Sequence, residues 1–324
     1  MTNLLIALVV ILAIAALVQL VRVNELLSEI TNEDTNSVTD DDNNKNGILF
    51  LLTIPLFLGF VVWQMVTWDH LLLPPASSVH GAEIDSLMKV SMTLILIVFF
   101  ALTPMLFFFA YKYRGKKGNT AYFFSHNNKL EVVWTVVPTI ILTALIIYGL
   151  RTWDRAMNPD LSQATVIEVY SKQFDWTARY AGEDNVLGQS SYLLVKGKNT
   201  LGVDMLDEPS SDDIVTREVH LPVNKPVLLK FRSRDVIHSA FLPHFRVQMN
   251  CVPGLSTQFG FTPTKTTEQM KLEEGEDFEY VLLCNKICGS AHFNMQMKFI
   301  VESEEDYNKW ISSQESLETT LTLK

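Results

Sequence analysis

The chain has 324 residues, enough for two ordinary domains, and carries 26 Lys and Arg against 36 Asp and Glu, a formal net charge of −10. That balance offers no basic surface of the kind nucleic acid requires, so no nucleic-acid partner is expected. Its 48% hydrophobic content is concentrated before Arg151, which excludes a uniformly soluble globular chain.

Residues 4–21, 48–68, 90–111 and 132–150 are apolar runs of bilayer-spanning length with no charge inside their limits. They predict about four transmembrane helices. Met1-Thr2-Asn3 lacks a positive leader, so the first run is expected to be a retained helix rather than a cleaved signal peptide. Pro55, Pro104 and Pro138 fall inside the later runs, where neighbouring helices can satisfy the freed carbonyls. The predicted organisation is an extra N-terminal helix over 1–23, an acidic polar cytoplasmic linker over 24–47, a second helix over 48–68 and a transmembrane hairpin over 88–150. Lys112, Arg114, Lys116, Lys117 and Lys129 lie between the third and fourth runs, whereas 69–89 holds only Lys89. The basic loop therefore faces the cytoplasm, and everything after Arg151 lies on the opposite side, the bacterial periplasm.

After Arg151 the pattern changes to short β-rich runs separated by turn residues. Residues 166–170, 191–195, 227–232, 278–283 and 297–301 predict strands, punctuated by Pro222, Pro226, Pro243, Pro253-Gly254 and Pro263. With no helical pattern before Glu304, 151–303 predicts an all-β Greek-key sandwich or barrel. A short helix over 304–313 and a tail complete the chain to 324.

The chemistry is concentrated in Cys284-Asn285-Lys286-Ile287-Cys288-Gly289-Ser290-Ala291-His292-Phe293-Asn294-Met295. Two thiols, an imidazole and a thioether within one loop are soft ligands of the kind copper prefers. Two other readings stay open at this point. The Cys-x3-Cys pair is compatible with a disulfide outside the cytoplasm, and zinc also takes Cys and His, although its sites rarely include Met. A copper site on a β-domain calls for a further ligand from a neighbouring strand. His238, in Asp235-Val236-Ile237-His238, is the best candidate; His244, after Pro243, reads as an exposed turn residue. Cys251 reads as a buried small hydrophobe.

His238 followed about 45 residues later by Cys-x3-Cys-x3-His-x2-Met resembles subunit II of the haem-copper cytochrome c oxidases, over Met88 to about Trp310. The resemblance implies a cupredoxin-like domain holding two copper ions, the CuA centre. Cys284 and Cys288 would be the bridges, His238 and His292 would bind one copper each, and Met295 and the Lys286 backbone carbonyl would complete the two sites. Family members usually carry Glu at position 286, where its side chain helps hold a magnesium ion against the catalytic subunit. Lys286 puts that magnesium in doubt and leaves the backbone copper contact intact.

The resemblance further implies a proton-pumping oxidase in which haem and oxygen reduction belong to a partner, the catalytic subunit I. Electrons would come from a cytochrome c or another c-type haem donor, since no Cys-x-x-Cys-His motif attaches haem here. The family's Gln-Trp-x-Trp-like docking patch reads Gln173-Phe174-Asp175-Trp176, which makes Phe174 and Trp176 the electron-input candidates. From Arg151 onward there are 18 Lys and Arg against 25 Asp and Glu, about −7, a face that would steer a basic donor. Glu131, near the start of the last membrane helix, corresponds to the acidic residue at the mouth of a proton-uptake path. The alternatives are a CuA-bearing subunit of a nitric oxide reductase and a non-redox copper-handling membrane protein.

Overall fold

The computed structural model describes residues 2–30 and 38–322. Its membrane part comprises α1 (Thr2–Ile30), α2 (Asp40–Thr67), α3 (Val79–Lys112) and α4 (Asn128–Met157). Each contains a window long and apolar enough to cross a membrane, with none of that window buried inside the chain. These surfaces are therefore left for lipid or other subunits. The described residues divide into two compact units, one holding α1, α2 and residues 96–126, the other holding 68–95 and everything from Asn127 onward.

The helices run past the apolar limits read from sequence, and this corrects the expected linker over 24–47. Residues 24–30 complete α1 and 40–47 begin α2, while 31–37 lie outside the described residues. The acidic run is a helix start rather than a marker of disorder. The Thr39 hydroxyl accepts from the Asp42 N–H at 3.2 Å, and the Asp42 carboxylate accepts from the Thr39 N–H at 3.1 Å. This is a reciprocal cap, with Asp40, Asp41 and Asp42 at the positive end of the helix dipole.

Within the first unit, Lys117 N–H donates to the Asp40 carboxylate at 2.9 Å and Arg114 donates to Asn44 Oδ1 at 2.7 Å. Gly47 is the buried residue of α2, and a Cβ there would stand 2.7 Å from Arg114 Cδ, so glycine permits this approach. The acidic turn of α2 and the basic loop after α3 thus share one end of the helix pair.

The β-domain has ten strands: β1 (Thr165–Lys172), β2 (Asp175–Tyr180), β3 (Ile214–Thr216), β4 (Val219–Pro222), β5 (Val227–Ser233), β6 (His238–Leu242), β7 (Val247–Cys251), β8 (Thr257–Phe261), β9 (Tyr280–Cys284) and β10 (Gln296–Glu302). They form two five-stranded sheets, ordered β3-β2-β1-β5-β8 and β4-β10-β9-β6-β7. Alternate residues of β5 and β10 point into one core shared by both sheets, including Val227, Leu229 and Phe231 from the first and Met297, Phe299 and Val301 from the second.

Two expectations fail here. Residues 191–195 are not a strand; they form a 3-10 turn, Tyr192–Leu194, in which Ser191 Oγ accepts from the Leu193 N–H at 3.3 Å. A serine bonding its own downstream backbone competes with ladder pairing. Conversely, α5 (Thr267–Glu274) lies well before Glu304, started by a Thr266–Gln269 capping box that the sequence pattern did not reveal. The terminal helix is α6 (Glu304–Ser312), followed by α7 (Leu317–Thr322).

The first sheet also buries charge. Arg179 Nε lies 3.0 Å from Glu168 and its Nη1 2.8 Å from Asp213, while Arg232 binds the other side of Glu168. Burial alone would raise the Glu168 carboxyl, but the two guanidiniums outweigh it and hold it below the usual range. Burial wins at Asp213, which is pushed up to about 6 against the pull of Arg179. At the start of α3, Asp85 clamps Arg246 at 2.9 and 3.0 Å, and Ser78 Oγ donates to the Phe245 carbonyl at 2.7 Å. These bonds fasten the turn between β6 and β7 to the helix.

Candidate metal centre

Strand pairing brings the distant ligand candidates together. β6 lies beside β9 with Ala240 opposite Cys284, so His238 opens β6 two residues away from the thiol that ends β9. After Cys284 the chain leaves the sheet and returns at β10, its base closed by Cys284 N–H donating to the Met295 carbonyl at 3.1 Å. The loop carries Cys288 back towards Cys284, and a single 3-10 turn, His292–Asn294, presents His292.

The donor atoms form a connected cluster. His238 Nδ1 is 3.8 Å from Cys284 Sγ, which is 3.8 Å from Cys288 Sγ, which is 3.6 Å from His292 Nδ1. Met295 Sδ lies 3.8 Å from Cys288 Sγ, and the Lys286 carbonyl 3.2 Å from Cys284 Sγ. Among the described residues, the donor atoms of His238, Cys284 and Cys288 lie within 4.8 Å of one another, close enough to share one ion. All three cysteines are free, and the two loop sulfurs are far beyond the roughly 2.05 Å of a bonded pair, so the structure contains no disulfide there.

The centre is shielded from water. His238 is fully buried, Met295 is 2% exposed and Cys288 5% exposed. Burial, then the neighbouring Cys284 thiol, pushes the Cys288 thiol up to about 11. A metal taken up here must displace that proton. The other face of the His238 ring is fixed, with Nε2 2.9 Å from Asp235 Oδ1, which leaves Nδ1 aimed at the thiols. Burial alone would raise Asp235, but the Gln173 N–H, His238 and the Val236 N–H hold its carboxyl below the usual range.

The tip of the β1–β2 hairpin leans on the cysteine loop. Gln173 N–H donates to Asp235 Oδ2 at 2.7 Å and its side-chain amide donates to the Cys288 carbonyl. Gly289 has φ +147°, and a Cβ on it would lie 2.7 Å from two ring atoms of Phe174. Phe174 is half-buried in that seat. Trp176 is 1% exposed, and its ring meets His238 edge-on at 6.0 Å. It supports the ligand from inside the sandwich and offers no surface for docking. Gln173, Asp235 and Gly289 carry no ligand signature in the sequence; the only local hint is the Asp-x-x-His spacing at 235–238.

The remaining candidates have other surroundings. His244 is half-buried, edge-on to Phe278 and Tyr280 at 5.0 and 5.5 Å, and burial followed by Arg246 pushes it down to about 4. It is a packed residue, not the exposed turn histidine expected. Cys251 is fully buried opposite His238, as expected of a small hydrophobe. The Lys286 side chain is exposed, as are Ile287 next to it and Phe293 further along the same loop, at 87% and 88% exposure. Glu131 lies in the first turn of α4, where its carboxylate accepts from the Asn127 N–H at 3.4 Å.

Two family models match the chain: "Cytochrome C oxidase subunit II, transmembrane domain" over residues 62–152 and "Cytochrome C oxidase subunit II, periplasmic domain" over 165–303. The first takes in α3, most of α4 and only the end of α2. Among similar proteins, an alternative cytochrome c oxidase subunit 2 of Bradyrhizobium diazoefficiens is 32% identical, over 67% of this chain and 76% of its own. Cytochrome c oxidase subunits 2 of Thermostichus vulcanus and Cereibacter sphaeroides are 28% and 27% identical, over 82% and 73% of this chain and 86% and 78% of theirs. With two thiols, two imidazoles and a thioether converging in the matched periplasmic domain, and four membrane-length helices before it, the chain belongs to the cytochrome c oxidase subunit II family, as a multi-pass membrane subunit of a haem-copper oxidase with a cupredoxin-like β-domain.

Proposed function

We propose that this chain is the electron-accepting subunit of a proton-pumping cytochrome c oxidase, seated in a bacterial inner membrane with its β-domain in the periplasm. The observation that carries this reading is the cluster of His238, Cys284, Cys288 and His292, with Met295 and the Lys286 carbonyl beside its thiols. The His238 donor lies within 4.8 Å of both sulfurs and a second imidazole, His292, adjoins Cys288 at 3.6 Å; two imidazoles around one thiol pair are a donor set that suits two ions sharing both sulfurs. Two copper ions held by these residues would accept and pass on one electron, the paired thiolates of Cys284 and Cys288 supplying the soft donors that chemistry needs. The residues present fit that pair in ligand number, softness and burial.

The protein's own part is to fix and shield these donors. His238 is locked by Asp235 and Trp176, and Cys284 and Met295 by the sheet bond that closes the loop. A c-type haem donor would meet Phe174, the half-buried aromatic against the loop, and the net charge of about −7 after Arg151 would draw a basic donor there. Electrons would leave for haem in the catalytic subunit, where oxygen is reduced to water. Glu131, exposed in the first turn of α4, would serve the mouth of a proton path into that subunit. The Lys286 ammonium does not fit a magnesium ion, so no role is assigned to one.

Absorption and electron spin resonance on the purified oxidase test this reading. A mixed-valent two-copper signal lost on Cys284→Ser or Cys288→Ser supports it; a copper-free wild-type protein refutes it. The partner that copurifies separates oxygen from nitric oxide chemistry.

A further inference from the structure

The turn joining β1 and β2 is only two residues long, since Lys172 pairs with Asp175 across it. Both tip residues face the cysteine loop. Phe174 fills the space over Gly289, and Gln173 makes two bonds that run to different ligand arms. Its backbone N–H donates to Asp235 Oδ2 at 2.7 Å, and Asp235 Oδ1 holds His238 Nε2 at 2.9 Å. Its side-chain amide donates to the carbonyl of Cys288. His238 opens β6 just after the β5–β6 turn that carries Asp235, Cys288 lies in the β9–β10 loop, and Gln173 bridges the two from the opposite sheet.

We infer that Gln173 is a positioning residue that ties the His238 arm to the Cys288 arm and thereby sets the redox poise and retention of the metal pair. The two bonds differ in kind. The backbone bond does not depend on the side chain and is kept in every substitution but proline, so the Asp235–His238 arm keeps its anchor. The side-chain bond is specific to a donor of this length. An amide donor on the Cys288 carbonyl withdraws electron density from the residue whose sulfur is the bridge, which favours the reduced state. It also removes one of the loop's routes for opening towards water. Groups that orient metal ligands in this way are typically worth 10–100-fold in metal affinity.

This inference rests on the two-copper reading, and two substitutions test it in the purified oxidase. Gln173→Glu keeps the size and replaces the donor with a carboxylate against the carbonyl. Gln173→Met keeps the length and removes the donor. Phe174→Leu, which takes away the ring and leaves the amide, is the control. The midpoint potential is read from the two-copper absorption, and metal loss is followed against a chelator. The expected result is a reduced-to-oxidised ratio at fixed potential that falls by up to about tenfold in Gln173→Met, about 59 mV for one electron, and further in Gln173→Glu. Chelator loss should be tenfold faster or more in both, with Phe174→Leu near wild type on both readouts. If either Gln173 variant folds with wild-type potential and chelator kinetics, the inference is overturned. A wild-type protein with no two-copper signal overturns the site reading itself, and this role with it.

Discussion

Gly289→Ala is the substitution that most directly probes how the cysteine loop is held. Gly289 sits at φ +147°, a region essentially closed to residues with a Cβ, and forcing a side chain into it costs about 1–3 kcal/mol. The new methyl would also stand 2.7 Å from two Phe174 ring atoms and 2.9 Å from Gln173 Nε2. Those atoms are the far ends of side chains, so the clash is relieved by swinging the half-buried ring outward, at about 1 kcal/mol of lost burial. The total is about 2–4 kcal/mol. For a β-domain of this size that lowers the melting temperature by roughly 4–16 °C. Thermal melts of the full chain in detergent, with copper content measured in parallel, read both effects. Unchanged melting and an unchanged copper spectrum would show that Phe174 does not press on the loop and would refute this account of the turn.

Three further substitutions test the surroundings. Glu168→Gln leaves Arg232 without its buried carboxylate and Arg179 with Asp213 alone, so it should cost about 3–5 kcal/mol; because the Glu168 carboxyl is held low when folded, its contribution is present above the unfolded value and is lost as pH falls through the folded one. Asp213 has the opposite sign. Its folded value of about 6 lies above its unfolded one near 3.8, so it binds its proton more tightly when folded and its contribution declines as pH rises between about 4 and 6. Asp213→Asn should therefore gain on wild type by up to about 3 kcal/mol between pH 4 and pH 7; parallel melting curves across that range would sink the argument. Lys286→Ala should leave copper content and spectrum unchanged, because only the backbone carbonyl of that residue approaches Cys284; loss of the signal would show that the side chain matters.

The strands read directly from sequence, β1, β5, β9 and β10, are those whose apolar residues cluster or alternate plainly. β2 was not legible because it buries Thr177 and Arg179, polar residues that read as solvent-facing; the Arg179 guanidinium is buried against Glu168 and Asp213. β4 places His220 and Pro222 in a short buried strand at a sheet edge, where a proline is tolerated and alternation fails. The start of α2 failed for a different reason. Acidic residues over 40–42 have the composition of a disordered segment and the chemistry of a helix cap, and only the Thr39–Asp42 bonds distinguish the two.

The metal centre divides along the same line. Cys284, Cys288, His292 and Met295 were legible because one loop carries them, and ligand chemistry is a property of residue type at short spacing. His238 needed a partner strand to be guessed, which the β6–β9 register supplies. Gln173 stood out only as the first residue of the aromatic patch and Gly289 not at all, since a neutral amide and a glycine announce no role at the metal donors until the β1–β2 tip is laid against the loop. What binds is therefore written locally, and what holds the binding groups at their working distances is written across two sheets. It follows that chains can keep all these donor residues and still differ in how firmly they are held, through Gln173 at the hairpin tip and the residue at 289 beside it.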